Sequence, residues 1–436
     1  MRSIGHRHRL FHGAWSVALV LAILASTVPE TLRAQALPMA PPESVGLDSE
    51  RLARLTEALE GYVEQGLLPG GVALVARRGS LAYLEAFGER DRETDDAMAT
   101  DDLFRIASQT KAIVSVAIMM LQEEGRLLIS HPVSRYLPEF RETMVAERGE
   151  GGGLEVVPRE GGITLRHLLT HTSGIGYGGG PAGDLWEEAG ITGWYFAHRD
   201  EPIRETVSRM ATLPFEAQPG ERFVYGYSID ILGAVVEVAS GQPLDVFLRE
   251  RILEPLGMED TYFYVPEAER DRVAVVYSLE DGELVRAPAP GGMVGQGAYM
   301  DGPRKSFSGG AGLLSTAQDY ARFLQMMLNG GELDGARILS PKTVQLMTIN
   351  HVGDLRGEAE GFGLGFSVLR DLGARGSHGS PGEFGWGGAY HSTYWVDPVE
   401  ELVVVYLTQV IPASGLDDQA MLRALVYQTI VDGDIR

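Results

Sequence analysis

Apolar and polar positions along the chain follow two periods. Leu52, Leu55, Leu59 and Val63 recur at helical spacing behind Asp48 and Ser49, either of which can cap a helix. Gly66 follows, so a helix is expected to about residue 65. Residues 72–76 and 81–87 are short apolar-rich runs around Arg78-Gly79, and read as a β-hairpin packed against that helix. Residues 107–124 read as a helix ended by Gly125. Ile113, Val114, Val116, Ala117, Ile118, Met119, Met120 and Leu121 place apolar groups all round it, which marks a buried central helix. Residues 148–162 and 176–183 read as Gly-rich loops with a short helix at 165–170 between them. Helices are expected at 201–213, 228–239 and 242–256. After about residue 270 strands return, at 273–279, 284–287, 366–369, 390–396 and 402–408. One helix at 313–328, entered through Ser315 or Thr316, lies among them. Strands at both ends and helices between predict an α+β fold: an antiparallel sheet flanked by helices, with an inserted helical lobe. The sheet domain takes residues 37–105 and 270–436, and the mainly helical lobe 106–269.

The first residues break this pattern. Arg2, Arg7 and Arg9 precede an apolar run at 14–25, too short to span a bilayer, and Ala34-Gln35-Ala36 follows as a cleavage site. Residues 1–36 therefore read as a signal peptide, cleaved near Ala36 to leave a secreted or periplasmic protein without stable membrane insertion. An uncleaved membrane anchor is the alternative reading. The net charge of -23 disfavours nucleic acid and anionic lipid as partners. There are no cysteines, which excludes disulfides, thiolate zinc sites and a cysteine nucleophile.

Chemistry enters at Ser108-Gln109-Thr110-Lys111, where the buried helix begins. Residues three apart share a helix face, so the Ser108 hydroxyl and the Lys111 amine can meet. The Ser108 N–H lies at the positive end of the helix dipole, which favours an oxyanion, and an apolar setting lets a lysine serve as a base. Alone, four such residues also fit a serine cap followed by a lysine reaching out from the core.

Longer motifs carry a resemblance. Pro42-Glu43-Ser44-Val45-Gly46-Leu47 and Phe104-Arg105-Ile106-Ala107-Ser108 resemble the serine β-lactamase and penicillin-binding-protein superfamily, in its class C-like branch with the family VIII carboxylesterases. So do Pro255-Leu256-Gly257-Met258, Gly310-Ala311-Gly312-Leu313 and, above all, Ile163-Thr164-Leu165-Arg166-His167-Leu168-Leu169-Thr170-His171-Thr172-Ser173-Gly174. The resemblance implies a β-lactamase/transpeptidase-like fold and Ser108 as nucleophile, with Lys111 as base. It places the tyrosine of the Y-x-N motif at Tyr225, which shares the role of base with Lys111, with Tyr227 where the asparagine stands and as a competing phenol. Trp386-Gly387-Gly388 takes the place of K-T-G, and the Ala389 N–H becomes the second oxyanion donor. Gln109 and His391 join Trp386, Gly387, Gly388 and Tyr227 as expected substrate contacts. His378 and His391 read equally as exposed loop histidines.

Other signals carry less. His167 and His171 are four apart but lack the glutamate of H-E-x-x-H, so no metal is expected. No G-x-S-x-G elbow occurs, and Gly178-Gly179-Gly180 lacks the Lys-Ser/Thr of a phosphate loop. Trp186, Trp194, Tyr195 and Phe196 form either an acyl-pocket wall or a satellite cluster under a loop. The expected protein is a serine hydrolase acting on carboxylic esters, with a small-molecule ester or amide as its partner and no cofactor. A β-lactamase, a D-amino-acid peptidase, a transesterase or a penicillin-binding protein that acylates without turnover are the rivals on the same scaffold.

Overall fold

The computed structural model describes residues 36–149 and 153–432; the expected signal peptide, apart from Ala36, lies outside the described residues. Helix α1 (Ser49–Glu64) starts where the Asp48 carboxylate accepts the Arg51 N–H, and it buries Leu52, Leu55 and Leu59. Strands β1 (Gly70–Arg77) and β2 (Ser80–Asp91) follow as a hairpin. Arg78 and Gly79 both take positive φ, 53° and 76°, the conformation whose twist suits a two-residue hairpin loop.

These strands join β3 (Asp96–Ala97), β4 (Glu360–Phe362), β5 (Ser367–Leu369), β6 (Phe384–Gly388), β7 (Ser392–Asp397) and β8 (Leu402–Thr408). Together they form one antiparallel eight-stranded sheet in the order β4-β5-β6-β7-β8-β1-β2-β3. The two ends of the chain meet at its centre, with Gly71 opposite Thr408 and Arg77 opposite Leu402. Strand β1 is buried along its whole length because both sheet faces are covered. Val72, Leu74 and Ala76 enter the main core with α2 (Thr110–Glu123), α3 (Ser228–Ser240) and α4 (Ala317–Leu328). Ala73 and Val75 enter a second core under α1 and α5 (Asp418–Tyr427).

The antiparallel sheet flanked by helices is as expected, and local segments differ. The Gly-rich stretch 148–162 contains half of a β-hairpin, Met144–Arg148 paired with Leu154–Pro158. The helix expected at 242–256 is interrupted, running Leu244–Leu248, then a π-turn at Arg249–Leu253, then Glu254–Leu256. Pro255 has no N–H for the carbonyl four residues earlier, and the wider turn absorbs the loss. Strand β7 begins only at Ser392, because residues 389–391 form a turn after β6. Helix α4 is capped by the Thr316 hydroxyl, and the preceding Leu314–Ser315 pairs with Phe104–Arg105. The described residues form one compact unit. Among the described residues no single helix is long and apolar enough to cross a bilayer.

Candidate active site

Ser108 sits on a single 3-10 turn, Ala107–Gln109, that leads into α2. From residue 102 to 121 every residue except Ser108 is buried, so its hydroxyl is the one opening in this wall. Ala107 holds φ +42°, a left-handed conformation that alanine rarely takes, and this sets the sharp entry to the helix.

Lys111 is 2% exposed, and its ammonium nitrogen donates three hydrogen bonds. They run to Ser108 Oγ at 3.2 Å, Tyr177 Oη at 2.9 Å and the Gly310 carbonyl at 2.7 Å. Three donors is the full complement of a lysine ammonium. The same nitrogen stands 4.7 Å from the centre of the Tyr225 ring. Behind Gly310 lies Asp230, whose Oδ1 accepts from the Gly310 N–H at 3.0 Å and from Ser308 Oγ at 2.6 Å. Burial raises the Asp230 pKa, and the nearby Lys111 charge opposes that rise. The Gly310 peptide thus joins the lysine to a buried carboxyl group.

Tyr177 was not singled out by the sequence; the only signal was a lone aromatic among the glycines of 174–180. Burial, with Tyr225 and Asp230 nearby, raises its pKa well above the usual range, so it stays a neutral phenol. Gly226 makes its meeting with Tyr225 feasible. A Cβ at Gly226 would lie 2.3 Å from the Gly176 carbonyl carbon, so only glycine lets the two loops touch.

Tyr225 is half-buried and faces the cleft, where its oxygen accepts the Trp386 indole N–H at 2.9 Å. Tyr227 is fully buried, donates to the Gly193 carbonyl at 2.7 Å and lies between Trp186 and Tyr177. Gln109 is buried behind Ser108, where its side-chain amide donates to Ser392 Oγ at 3.0 Å and its main-chain carbonyl accepts from the Tyr320 hydroxyl. Neither Tyr227 nor Gln109 reaches the cleft lining. They brace it from behind.

The cleft has a volume of about 580 Å³ and is lined by Ser108, Tyr177, Tyr225, Trp386, Gly387 and Ala389, among others. Strand β6 lies hard against the nucleophile turn. A Cβ at Gly388 would sit 2.5 Å from the Ile106 carbonyl oxygen and 2.5 Å from Ser392 Oγ. The guanidinium of Arg356 covers the outer face of Trp386 at 5.2 Å. His391 also lines the cleft, with φ +63° and Nε2 bonded to Asp418 Oδ1 at 2.7 Å. It is an anchored turn residue, whereas His378 is an exposed loop histidine stacked on Tyr427.

His167 closes a capping box, accepting the Thr164 N–H while its own N–H binds Thr164 Oγ1. His171 is fully buried among Phe223, Tyr225 and Phe362, and burial holds its pKa well below the usual value. Among the described residues no group of three His, Asp or Glu side chains suits a metal ion. The aromatic set divides. Trp194 lines the cleft, while Trp186, Tyr195 and Phe196 are packed in the core beneath it.

The arrangement places a hydroxyl, an ammonium and a phenol around one opening. Facing them is a strand whose backbone can approach a bound acyl group closely.

The Beta-lactamase family profile matches residues 55–428. Esterase EstB of Burkholderia gladioli is 36% identical over 391 residues, covering 84% of this chain and 93% of that protein. Among solved structures, EstCE1, a hydrolase with promiscuous acyltransferase activity, superposes with a TM-score of 0.76 at 28% identity. It covers 87% of this chain and 99% of its own. Simvastatin synthase (LovD) from Aspergillus terreus gives 0.73 at 25% identity, covering 88% of this chain and 100% of its own. With a serine, a lysine and a tyrosine gathered on this fold, the chain belongs to the beta-lactamase family, in the class C-like branch that includes the family VIII carboxylesterases.

Proposed function

We propose that the protein hydrolyses carboxylic esters through an acyl-enzyme on Ser108. Ser108 Oγ attacks the ester carbonyl carbon as its proton passes to Tyr225, which acts in its phenolate form and becomes the neutral phenol. Lys111 holds the hydroxyl in place and stabilises the negative charge that develops beside it. The N–H groups of Ser108 and Ala389 receive the carbonyl oxygen as the tetrahedral intermediate forms. Collapse expels the alcohol, which takes the proton from Tyr225. Water then attacks the acyl-enzyme with the same phenolate as base, restoring the Ser108 hydroxyl and releasing the acid.

The observation that carries the ester assignment is the Trp386–Tyr225 hydrogen bond. Where K-T-G enzymes place a lysine able to receive a β-lactam carboxylate, this chain has an uncharged indole, and its one donor is already engaged. A neutral ester loses nothing by that exchange. EstB, similar over most of the chain, is named an esterase. The test compares kcat/KM for p-nitrophenyl butyrate with that for a chromogenic cephalosporin in one buffer. The ester is expected to be much the better substrate. The reverse order would make the protein a β-lactamase, and a burst without steady turnover would make it an acylated binding protein.

Residues 1–36 further support export, with a mature N-terminus near Leu37. Intact mass of the exported protein tests this, and a full-length mass would overturn it.

A further inference from the structure

The loop that carries Trp194 has a cavity on each side. Trp194 itself lines the Ser108 cleft. Its neighbours Gly193 and Tyr195 line a second cavity of about 520 Å³, together with His198, Pro290 and Met293. We propose that this second cavity seats an alkyl chain of the ester held at Ser108, and that Trp194 is the partition such a chain must pass. The proposal rests on the esterase reading and adds the class of substrate: esters carrying an apolar chain.

The lining decides the chemistry of the occupant. Thr192 and Gly292 complete it, so no Asp, Glu, Lys or Arg side chain faces the space. His198 does not supply a charge either, because burial and then the neighbouring Arg199 lower its pKa. An anionic group or an ammonium would find no partner there. An alkyl chain needs none.

The surfaces present are apolar faces. The Tyr195 hydroxyl accepts the Ala298 N–H at 2.5 Å, and its ring stacks on His198 at 5.0 Å. Met293 reaches across to the loop: a Cβ at Gly193 would lie 2.6 Å from its sulfur. A thioether side chain adapts its shape to an occupant more readily than a branched one. Met293 and Val294 are also 39% and 45% exposed, an apolar pair left open to water beside the cavity.

The loop shared with the Ser108 cleft points to the substrate as the occupant. Residues 193, 194 and 195 are consecutive, and they face the two cavities in turn. Trp194 is held edge-on against Tyr390, at 5.5 Å and 85°, and Tyr390 adjoins Ala389, the expected oxyanion donor. A chain attached to a carbonyl seated at Ala389 therefore meets Trp194 first and the Met293 cavity beyond it.

The chain can belong to the acid or to the alcohol, and two substrate series separate these sources. One is p-nitrophenyl acetate through octanoate; the other is ethyl acetate through octyl acetate. In wild-type protein, kcat/KM is expected to rise with chain length in one series. Met293→Asp, at an exposed position, should lower the long-to-short ratio in that series by about tenfold, the scale set by losing a few buried methylenes. Trp194→Ala should raise the same ratio by opening the partition. The responding series names the source of the chain. If neither ratio moves in either variant, the cavity takes no part in binding and the proposal is overturned. Failure of wild-type protein to turn over even the shortest esters would instead overturn the esterase reading.

Discussion

The indole N–H of Trp386 donates to the phenol oxygen of Tyr225 across 2.9 Å, tying strand β6 to the loop before α3. That donor stabilises the charged phenolate in which Tyr225 acts as base, and the Lys111 nitrogen lies 4.7 Å from the centre of the same ring. Trp386→Phe keeps an apolar face and removes only the donor. A hydrogen bond to a charged group contributes about 1.5–3 kcal/mol, so kcat should fall roughly tenfold or more. KM should change little. A rise in KM with kcat intact would limit the indole to substrate binding.

Three tyrosines close to Lys111 are expected to separate cleanly. Tyr225→Phe should lower kcat by about 100-fold or more, the scale of losing a general base. Tyr227→Phe loses only its bond to the Gly193 carbonyl. Its cost should appear in urea unfolding, at about 1 kcal/mol, with kcat nearly unchanged. Tyr177→Phe frees one of the three Lys111 donors and should reduce kcat less than Tyr225→Phe. A crippled Tyr227→Phe beside an active Tyr225→Phe would exchange the two roles.

Gly388→Ala places a methyl 2.5 Å from the Ile106 carbonyl, so β6 must move away from the nucleophile turn. The Ala389 N–H moves with it. Losing one oxyanion donor costs about 100-fold or more in kcat, and that is the expected outcome in steady-state kinetics. Near-normal activity would remove Ala389 from the proposed mechanism.

Asp319, near the start of α4, gives a pH signature. Its carboxylate accepts from the Asp260 N–H and from Thr261, yet burial pushes its pKa up to about 7. The folded state therefore holds a proton that the unfolded chain releases above the ordinary aspartate value of 3.8. Its stabilising contribution is full below that value and is lost as pH rises through about 7. Asp319→Asn imitates the protonated form, so its melting temperature should fall less than wild type between these limits. Parallel curves would assign the pH dependence to other groups.

The sequence made Ser108 and Lys111, the proposed nucleophile and its partner, legible because they sit three apart at the head of a helix buried on every side. Helix α1 and the first hairpin were legible for a similar reason, since their periodicity and caps lie within a few residues of one another. Tyr177 and Asp230 were not. Each acts through a partner far away in sequence, Lys111 and Gly310, and neither pairing leaves a local pattern. Gln109 and Tyr227 lie near the motif residues in sequence but turn away from the cleft, because helix geometry and the packing of Trp186 decide their direction. The pairing of 144–148 with 154–158 was hidden by the glycine-rich sequence between the two strands.

The pairing of Gly71 with Thr408, and of the residues between them and Arg77 with Leu402, has a bearing on how the chain is made. During synthesis β1 emerges early, and one full edge of it has no strand to bond until β8 has left the ribosome. Contacts of such separation form late, because the intervening loop must close first. The oxyanion strand β6 and the Asp418 that anchors His391 also come from this final part of the chain. A nascent copy therefore carries Ser108 and Lys111 from early on, while the strand that faces them is added only as translation nears its end.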